Sequence, residues 1–472
     1  MIVDRYEPVN LFALIPQRYA GFEPELQELD RLLDDDEIFQ RVRGDLGRRY
    51  PHSLTAGRHS TPVEVILRML VLKRVYRWSY EATEHFVFDS LLLRQFCRVY
   101  WEEVPDDSTL NRWAKLITPT TLEAIHERVV QLARERKVTR GRKLRVDSAV
   151  VETAIHHPTD SSLLADGVRV LSRLLRRSKS VLGTSVGLSR EVFRTRMRSV
   201  RRLTQQLHRM ARRKGEEAAE ELKGTYGRLI RVAEQSGAQA RQVAAALSAQ
   251  GDRAATHLAR KLEQILPLVE QVISQAERRV IHGEKVPAGE KLVSLFEPHT
   301  QIIKRHKSGK ATEFGRKLWL EEVEGGIVSG YRILEEPGQD DAYLAKSLTD
   351  HQQRFGHPPW LLAGDRGVSS PTNEQLAKDA GVKRVVLPAK GRASAERKKE
   401  ERARWFRRGF RFRAGIEGRI SVLHRCYELD RCRDQGADGM GRWVGWGIIT
   451  ANLVQIARTE VGRPSDTEVR AA

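Results

Sequence analysis

Apolar residues recur at helical spacing in the first third of the chain. Val63, Ile66, Leu67, Leu70 and Val71 fall three and four apart, behind Thr61 as a candidate cap, Pro62 in the first turn and Glu64 to complete a capping box. The pattern predicts a helix from Thr61, a second helical run through Tyr80–Tyr100, and a third helix near Leu110 after the turn Pro105-Asp106-Asp107-Ser108-Thr109. Residues 1–137 therefore read as an all-α N-terminal domain, suited to DNA binding or to packing and dimerisation.

The period changes at Lys143. Leu-Arg-Val-Asp-Ser-Ala-Val-Val, residues 144–151, is a β-branched run entered from the basic turn Thr139-Arg140-Gly141-Arg142, and reads as the first core strand. Extended runs return at Lys291–Ile303 and Arg316–Leu334, the latter folded at Glu324-Gly325-Gly326 like a hairpin. The interval of about 168–289 is rich in Leu, Ala, Arg, Glu and Gln, with Pro267 in its body, and predicts several long helices inserted after the first strand. Beyond the hairpin come a helix at 341–355, a buried strand at 359–364 that delivers Asp365, a helix at 371–380, a buried strand at 383–387, and a charged segment leading to a helix that contains Glu417. This alternation predicts an α/β core, a mixed sheet flanked by helices, built from residues 138–167 and 290–460, with 461–472 a flexible tail.

Charge narrows the partner. Across 472 residues, 82 Lys+Arg against 62 Asp+Glu leave a formal charge of +20, which favours a polyanion. Nucleic acid leads over a membrane surface: the N-terminus MIVDRYEPVN has no apolar signal core, and the apolar stretch Trp443–Ala457 is short and interrupted by Gly445, Gly447 and Asn452. A cytoplasmic, nucleoid-associated protein is the expectation. The excess is concentrated: residues 168–214 hold fifteen Lys/Arg against one acid, Glu191, a density that suits contact with DNA phosphates or else an exposed helical arm or oligomerisation coil. Cysteines add little, because Cys426 and Cys432 are six apart with no second pair at ligand spacing, and Cys97 stands alone.

Three acids attract attention. Asp147 lies inside an apolar strand, where a carboxylate is costly unless paired or bound to metal, and Asp365 ends a second strand, where an Asp is often a turn cap. On a helix advancing 100° per residue, Phe410, Arg413, Glu417 and His424 fall within about 60° of one another. Ile416, Ile420 and Leu423 form the adjoining apolar stripe, so this face borders a helix–sheet contact; Arg413 and Glu417 also fit a plain i, i+4 ion pair. Carboxylates converging from separate elements are what two divalent ions need to flank one phosphate. Glu152, Asp160 and Asp166 crowd the first segment and read as caps or arginine partners, His156-His157-Pro158 as a turn, and Trp443 with Trp446 as core packing. Arg404-Trp405-Phe406-Arg407-Arg408 fits a DNA contact and packing equally well.

These motifs carry a family resemblance. The run from Arg145 through Asp147 to Leu171 resembles the first catalytic segment of bacterial insertion-sequence DDE transposases, Ala363-Gly-Asp-Arg-Gly367 the second, and Arg413-Ala-Gly-Ile-Glu-Gly-Arg-Ile-Ser421 the third. The helical stretch Arg58–Tyr100, the Pro-Asp-Asp-Ser-Thr-Leu turn, Glu313-Phe-Gly-Arg-Lys317 and Arg442-Trp-Val-Gly-Trp-Gly447 are similar to the same family in the same order. The resemblance implies an RNase H-like core in which Asp147, Asp365 and Glu417 are the catalytic metal ligands for two Mg²⁺ ions, with Mn²⁺ as a substitute. It implies double-stranded DNA as partner, both terminal inverted repeats and target, and a homodimer or higher oligomer without a membrane. The family's Tyr-x2-Arg-x3-Glu-x6-Lys is Phe410, Arg413, Glu417 and His424 here, so DNA contact falls to Arg413, His424, neighbouring Arg425, and Arg407 and Arg408. An RNase H-like nuclease that cuts without rejoining, and a DNA-binding relic with an inactive centre, are the competing readings.

Overall fold

Short polar side chains mark where the N-terminal helices begin. The computed structural model describes residues 1–14, 21–53, 55–183, 188–304, 312–335 and 340–462. Its first helices are α1 Pro24–Leu32, α2 Asp36–Gly47, α3 Val63–Tyr76, α4 Tyr80–Asp89, α5 Leu91–Phe96, α6 Asp107–Ala114 and α7 Pro119–Glu135. Asp35, Ser79, Ser90, Asp106 and Thr118 each accept a hydrogen bond from the backbone N–H three residues on, satisfying donors that a first helical turn leaves open. Ser90 thereby splits the run expected through Tyr80–Tyr100 into α4 and α5. Helix α3 starts at Val63 with Pro62 as its cap residue and no side-chain cap, so Thr61 does not serve. Glu64 does not reach back either; it lies 3.2 Å from Arg68, a fully buried cation that also donates to Asp30 and Asp34.

The chain continues as β1 Lys143–Thr153, α8 Asp160–Leu182, α9 Met197–Met210, α10 Glu216–Gln250, α11 Arg253–Ala276 and β2 Gln301–Lys304. It then runs β3 Thr312–Val323, β4 Ile327–Ile333, α12 Leu344–Phe355, β5 Leu361–Ala363, α13 Pro371–Asp379, β6 Arg384–Val386, α14 Ala395–Arg402, α15 Arg404–Tyr427, β7 Arg431–Cys432 and α16 Gly436–Val461. Two compact units result, Met1–Glu152 with Arg316–Ala472, and Thr153–Gly315. The strand expected over Lys291–Ile303 is confined to β2, because Ser294 Oγ takes the N–H groups of Phe296 and Glu297 and turns the chain, and Pro298 offers no donor.

The fold is mixed α/β and mostly helical, and among the described residues seven strands form a sheet in the order β2-β3-β1-β5-β6, with β4 pairing with β3 and β7 with β1. Strands β1, β5 and β6 are parallel, and β3 and β4 form an antiparallel hairpin around Glu324-Gly325-Gly326. Both glycines there have positive φ, 84° and 77°, and a Cβ on Gly325 would fall 2.3 Å from the carbonyl oxygen of Val138. The Glu324 carboxylate accepts the N–H groups of Arg140, Arg142 and Lys143, fixing the entry to β1.

Alternation along β1 separates two cores. Leu144 and Val146 join the core shared with the N-terminal helices, while Ala149 and Val151 join a second containing Leu423, Tyr427 and Trp443. Helix α16 packs against α7 through glycines: a Cβ on Gly441 would meet Pro119 at 2.8 Å, and one on Gly445 would meet Leu122 at 3.0 Å. Trp443 and Trp446 are buried, as packing residues should be, and Trp443 Nε1 donates to the Glu428 carbonyl. The second unit is a four-helix cluster of α8–α11 around Leu164, Val168, Leu229, Val243 and Leu262. Among the described residues no helix is long and apolar enough to cross a membrane.

Candidate active site

The parallel pairing of β1 with β5 leads both chains toward the first two acids. Lys143 pairs with Leu361, Leu144 with Leu362 and Arg145 with Ala363, so each β5 residue lies opposite the β1 residue numbered 361 − 143 = 218 lower. Asp147 and Asp365 each lie two residues beyond the last pair of that register, Arg145 with Ala363, and Asp365 is already past the end of β5. The chain past Ala363 keeps this course for at least one residue, since Gly364 N–H still donates to the Val386 carbonyl on β6. A Cβ on Gly364 would come 2.9 Å from Leu387 and 3.2 Å from Val368, so the approach to Asp365 needs glycine.

Asp147 is largely buried, and its Oδ1 accepts the N–H of Ser148 at 2.7 Å. Asp365 is partly buried, and its Oδ1 accepts the Val368 N–H at 3.1 Å, so this carboxylate does cap the turn that follows it. Glu417 lies on α15, with its side chain 68% exposed. Arg413 joins the strand to the helix: Nη2 donates to Asp147 Oδ2 at 3.0 Å and Nη1 to Glu417 Oε1 at 2.9 Å. The i, i+4 pair on α15 is thus real, and it extends across to β1. Among the described residues no three His, Cys, Asp or Glu side chains gather closely enough to hold a metal ion.

Close packing holds α15 in place. Ile416 and Leu423 are buried and Ile420 half-buried, as the apolar stripe predicts. Gly409 and Gly415 let the helix come near the sheet, since a Cβ on Gly409 would lie 2.5 Å from Val386 and one on Gly415 2.2 Å from the Arg145 guanidinium. Arg145 and Asp147 share one face of β1. Arg145 donates to the Phe412 carbonyl, stacks over the Phe412 ring at 4.7 Å, and donates to Glu322 at 2.8 Å. Glu322, 1% exposed at its side chain, also accepts from Arg419 of α15 at 3.2 Å. Strands β1 and β3 are therefore tied to α15 through one buried carboxylate.

Sequence pattern alone misses Glu322 and Arg145 as residues of the site. Two consecutive acids in the apolar run Leu318-Trp-Leu-Glu-Glu-Val323 are the available signal, because buried carboxylates demand partners. Successive residues face opposite sides, and Glu321 binds Arg332, Ser347 and Arg354 on the other one.

The remaining candidates separate. Glu152 pairs with Arg431, Asp160 with Arg279, and Asp166 with Arg169 and His156, all as arginine partners. His157 packs edge-on against Phe314 instead of joining His156. Trp405 stacks under Arg384 and Phe406 is buried, whereas Arg407 and Arg408 are exposed and enter no ion pair among the described residues, so this segment packs through its aromatic rings and presents its arginines. Phe410 is 45% exposed on the same helix. His424 and Arg425 line a cavity of about 590 Å³ with Tyr76, Arg77 and Arg433, and Arg77 donates to the Arg425 carbonyl at 2.8 Å. Cys97, Cys426 and Cys432 are all free thiols.

Comparison with known proteins bears on the N-terminal part. Residues 10–116 match the family model described as Transposase domain (DUF772), in accord with the resemblance to insertion-sequence transposases. No curated protein and no solved structure matches the chain.

Proposed function

We propose that the chain is an insertion-sequence transposase whose RNase H-like core binds terminal inverted repeats, cleaves DNA with divalent metal ions and transfers the freed strand to target DNA. One observation supports the reading above all: Arg413 links Asp147 on β1 to Glu417 on the neighbouring helix, and β1 pairs in parallel with β5, the strand that leads to Asp365. The Transposase domain match in the N-terminal part supports it independently.

The donors fit a hard cation in kind, since all three are carboxylates. Asp147, Asp365 and Glu417 would hold Mg²⁺ or Mn²⁺, which supplies charge neutralisation at the scissile phosphate and activates water or a 3′ hydroxyl. The chain's own part is positioning. β1 would hold Asp147 within the sheet, and the chain leaving the adjacent strand β5, about 4.8 Å away from strand to strand, would bring Asp365 to it. Arg413 neutralises Asp147 and Glu417 while the site is at rest, and its guanidinium suits a phosphate oxygen equally well. Exchange of its carboxylates for a DNA phosphate would free both acids for the metal and anchor the substrate in one movement. Exposed Arg407 and Arg408, together with His424 and Arg425, extend the basic surface along α15 for the DNA backbone.

Asp147→Asn tests the assignment. It should abolish Mg²⁺-dependent nicking of a duplex carrying the element's terminal repeat and leave binding of that duplex largely intact. Retained nicking would remove Asp147 from the chemistry. Joining of pre-cut repeat ends to a second duplex separates transposition from plain nuclease action, and cleavage without joining would reduce the function to that of a nuclease.

A further inference from the structure

The helices of the inserted unit sort their charges by element. On α8, Leu164, Val168, Leu171 and Leu175 are buried, and Arg173, Arg176 and Arg177 stand exposed on the other side. On α9, Val200, Leu203, Leu207 and Met210 are buried, and Arg198, Arg201 and Arg202 are exposed. Helices α8 and α9 pack against one another, so the two rows stand on neighbouring elements of the unit. Acids are nearly missing from it: between residues 168 and 214 the only one is Glu191, which lies 4.0 Å from Arg194. The acids that precede that stretch, Asp160 and Asp166, are buried in pairs with Arg279 and Arg169. Among the described residues none of the six arginines enters an ion pair, whereas α10 and α11 pair their charges, as in Arg241 with Glu270.

A surface of unpaired guanidinium groups is expensive to maintain by like-charge repulsion, and it lowers its energy by meeting a dense array of anions. What surrounds the arginines narrows the anion. Among the described residues α8 and α9 expose no large apolar side chain, and Phe296, exposed elsewhere in the unit, lies outside them, so the two helices carry no wedge for a lipid bilayer and no exposed aromatic ring on which an unpaired base would stack. Both rows are held on regular helices, a rigid presentation that suits the evenly spaced phosphates of a duplex.

We propose that the α8–α9 face of the inserted unit binds the sugar-phosphate backbone of double-stranded DNA, independently of its base sequence. The proposal stands on this unit alone and does not depend on the acids of the sheet.

The test uses the full-length chain and a labelled duplex of arbitrary sequence, with binding measured by fluorescence anisotropy over a range of salt concentrations. Neutralising the six arginines as Arg173→Gln, Arg176→Gln, Arg177→Gln, Arg198→Gln, Arg201→Gln and Arg202→Gln should flatten the dependence of log K on log salt by about 0.9 for each phosphate left without its arginine. Affinity at low salt should fall at least about tenfold. All six are exposed, so the thermal melt should not move. A control set, Lys223→Gln, Arg253→Gln and Arg260→Gln on α10 and α11, should leave the slope unchanged. An unaltered slope in the six-fold variant, or an equal effect per charge from the control set, overturns the proposal. A defect confined to a single-stranded oligonucleotide or to anionic phospholipid vesicles, with duplex binding retained, overturns it as well. Metal-dependent nicking at saturating duplex separates the two readings: the six-fold variant should keep it, and Asp147→Asn should lose it while keeping the wild-type salt slope.

Discussion

Glu322 offers a sharp test of how the sheet holds α15. Its carboxylate is 1% exposed and accepts from Arg145 of β1 and from Arg419 of α15, whose side chains are each 13% exposed. In Glu322→Gln the shape survives and the charge goes. Each charge-assisted bond then weakens from roughly 1.5–3 kcal/mol to the neutral range near 1 kcal/mol, so two bonds lose about 1–4 kcal/mol together. Glu322→Ala leaves both guanidinium groups without an anion and should cost about 3–5 kcal/mol. At roughly 2–4 °C per kcal/mol, Glu322→Gln lowers the melting temperature by roughly 2–16 °C in the transition that belongs to the sheet-containing unit. Calorimetry resolves this from the melt of the inserted helices. The double variant with Arg419→Gln should cost less than the sum of its parts, because the two residues share one interaction. A shift below about 1 °C, or strict additivity, would refute the claim that this carboxylate ties β1 and β3 to α15.

Two further outcomes follow from the packing and the titration of buried groups. Gly409→Ala would set a Cβ 2.5 Å from Val386, so the helix must lift from β6 at a cost of about 1–3 kcal/mol; an unchanged melt would show that α15 has slack there. Burial pushes His126 and His351 down to about 4, partly opposed by the hydrogen bonds they make to the carbonyls of Val328 and Gly141. With the unfolded value near 6.5, their contribution is full above about pH 6.5 and is lost as pH falls toward 4, by up to about 3 kcal/mol each. Thermal melts should therefore hold at neutral pH and decline in that window. His126→Gln with His351→Gln keeps a donor at both places and should flatten the decline; an identical pH profile in the double variant would assign the acid sensitivity elsewhere.

Local pattern was enough to locate most elements. The β-branched run at residues 144–151, the Gly-Gly hairpin and the apolar runs before Asp365 and at Lys383–Leu387 became β1, the β3–β4 turn, β5 and β6. The stripe Ile416, Ile420, Leu423 correctly oriented the helix that bears Glu417. Features that depend on partners distant in the chain were not legible. Glu64 matched a capping box by spacing, but a fully buried Arg68 captured its carboxylate. The reach of Arg413 from Glu417 across to Asp147 spans 266 residues, and no helical periodicity encodes it. The glycines of α15 lower its helix propensity, and only with the sheet present is Gly409 seen to give Val386 its room.

The inserted unit begins and ends at nearly the same place. The Thr153 hydroxyl lies 3.4 Å from the Phe314 carbonyl and 2.9 Å from the Thr300 hydroxyl, all within residues 153–315. That closure bears on how the sheet can assemble. Pairing β1 with β5 closes a loop of 218 residues (361 − 143), most of which is the insertion. A bundle that folds first pins its own ends together and leaves about a quarter of that length to be closed, which lowers the entropic cost by about 1 kcal/mol. The helices that separate the first two acids along the chain thereby act as a kinetic shortcut between them. Cavities cut into the bundle, as by Leu171→Ala, should slow the sheet's refolding by up to about fivefold, and an unchanged refolding rate would show that the sheet assembles without waiting for the bundle.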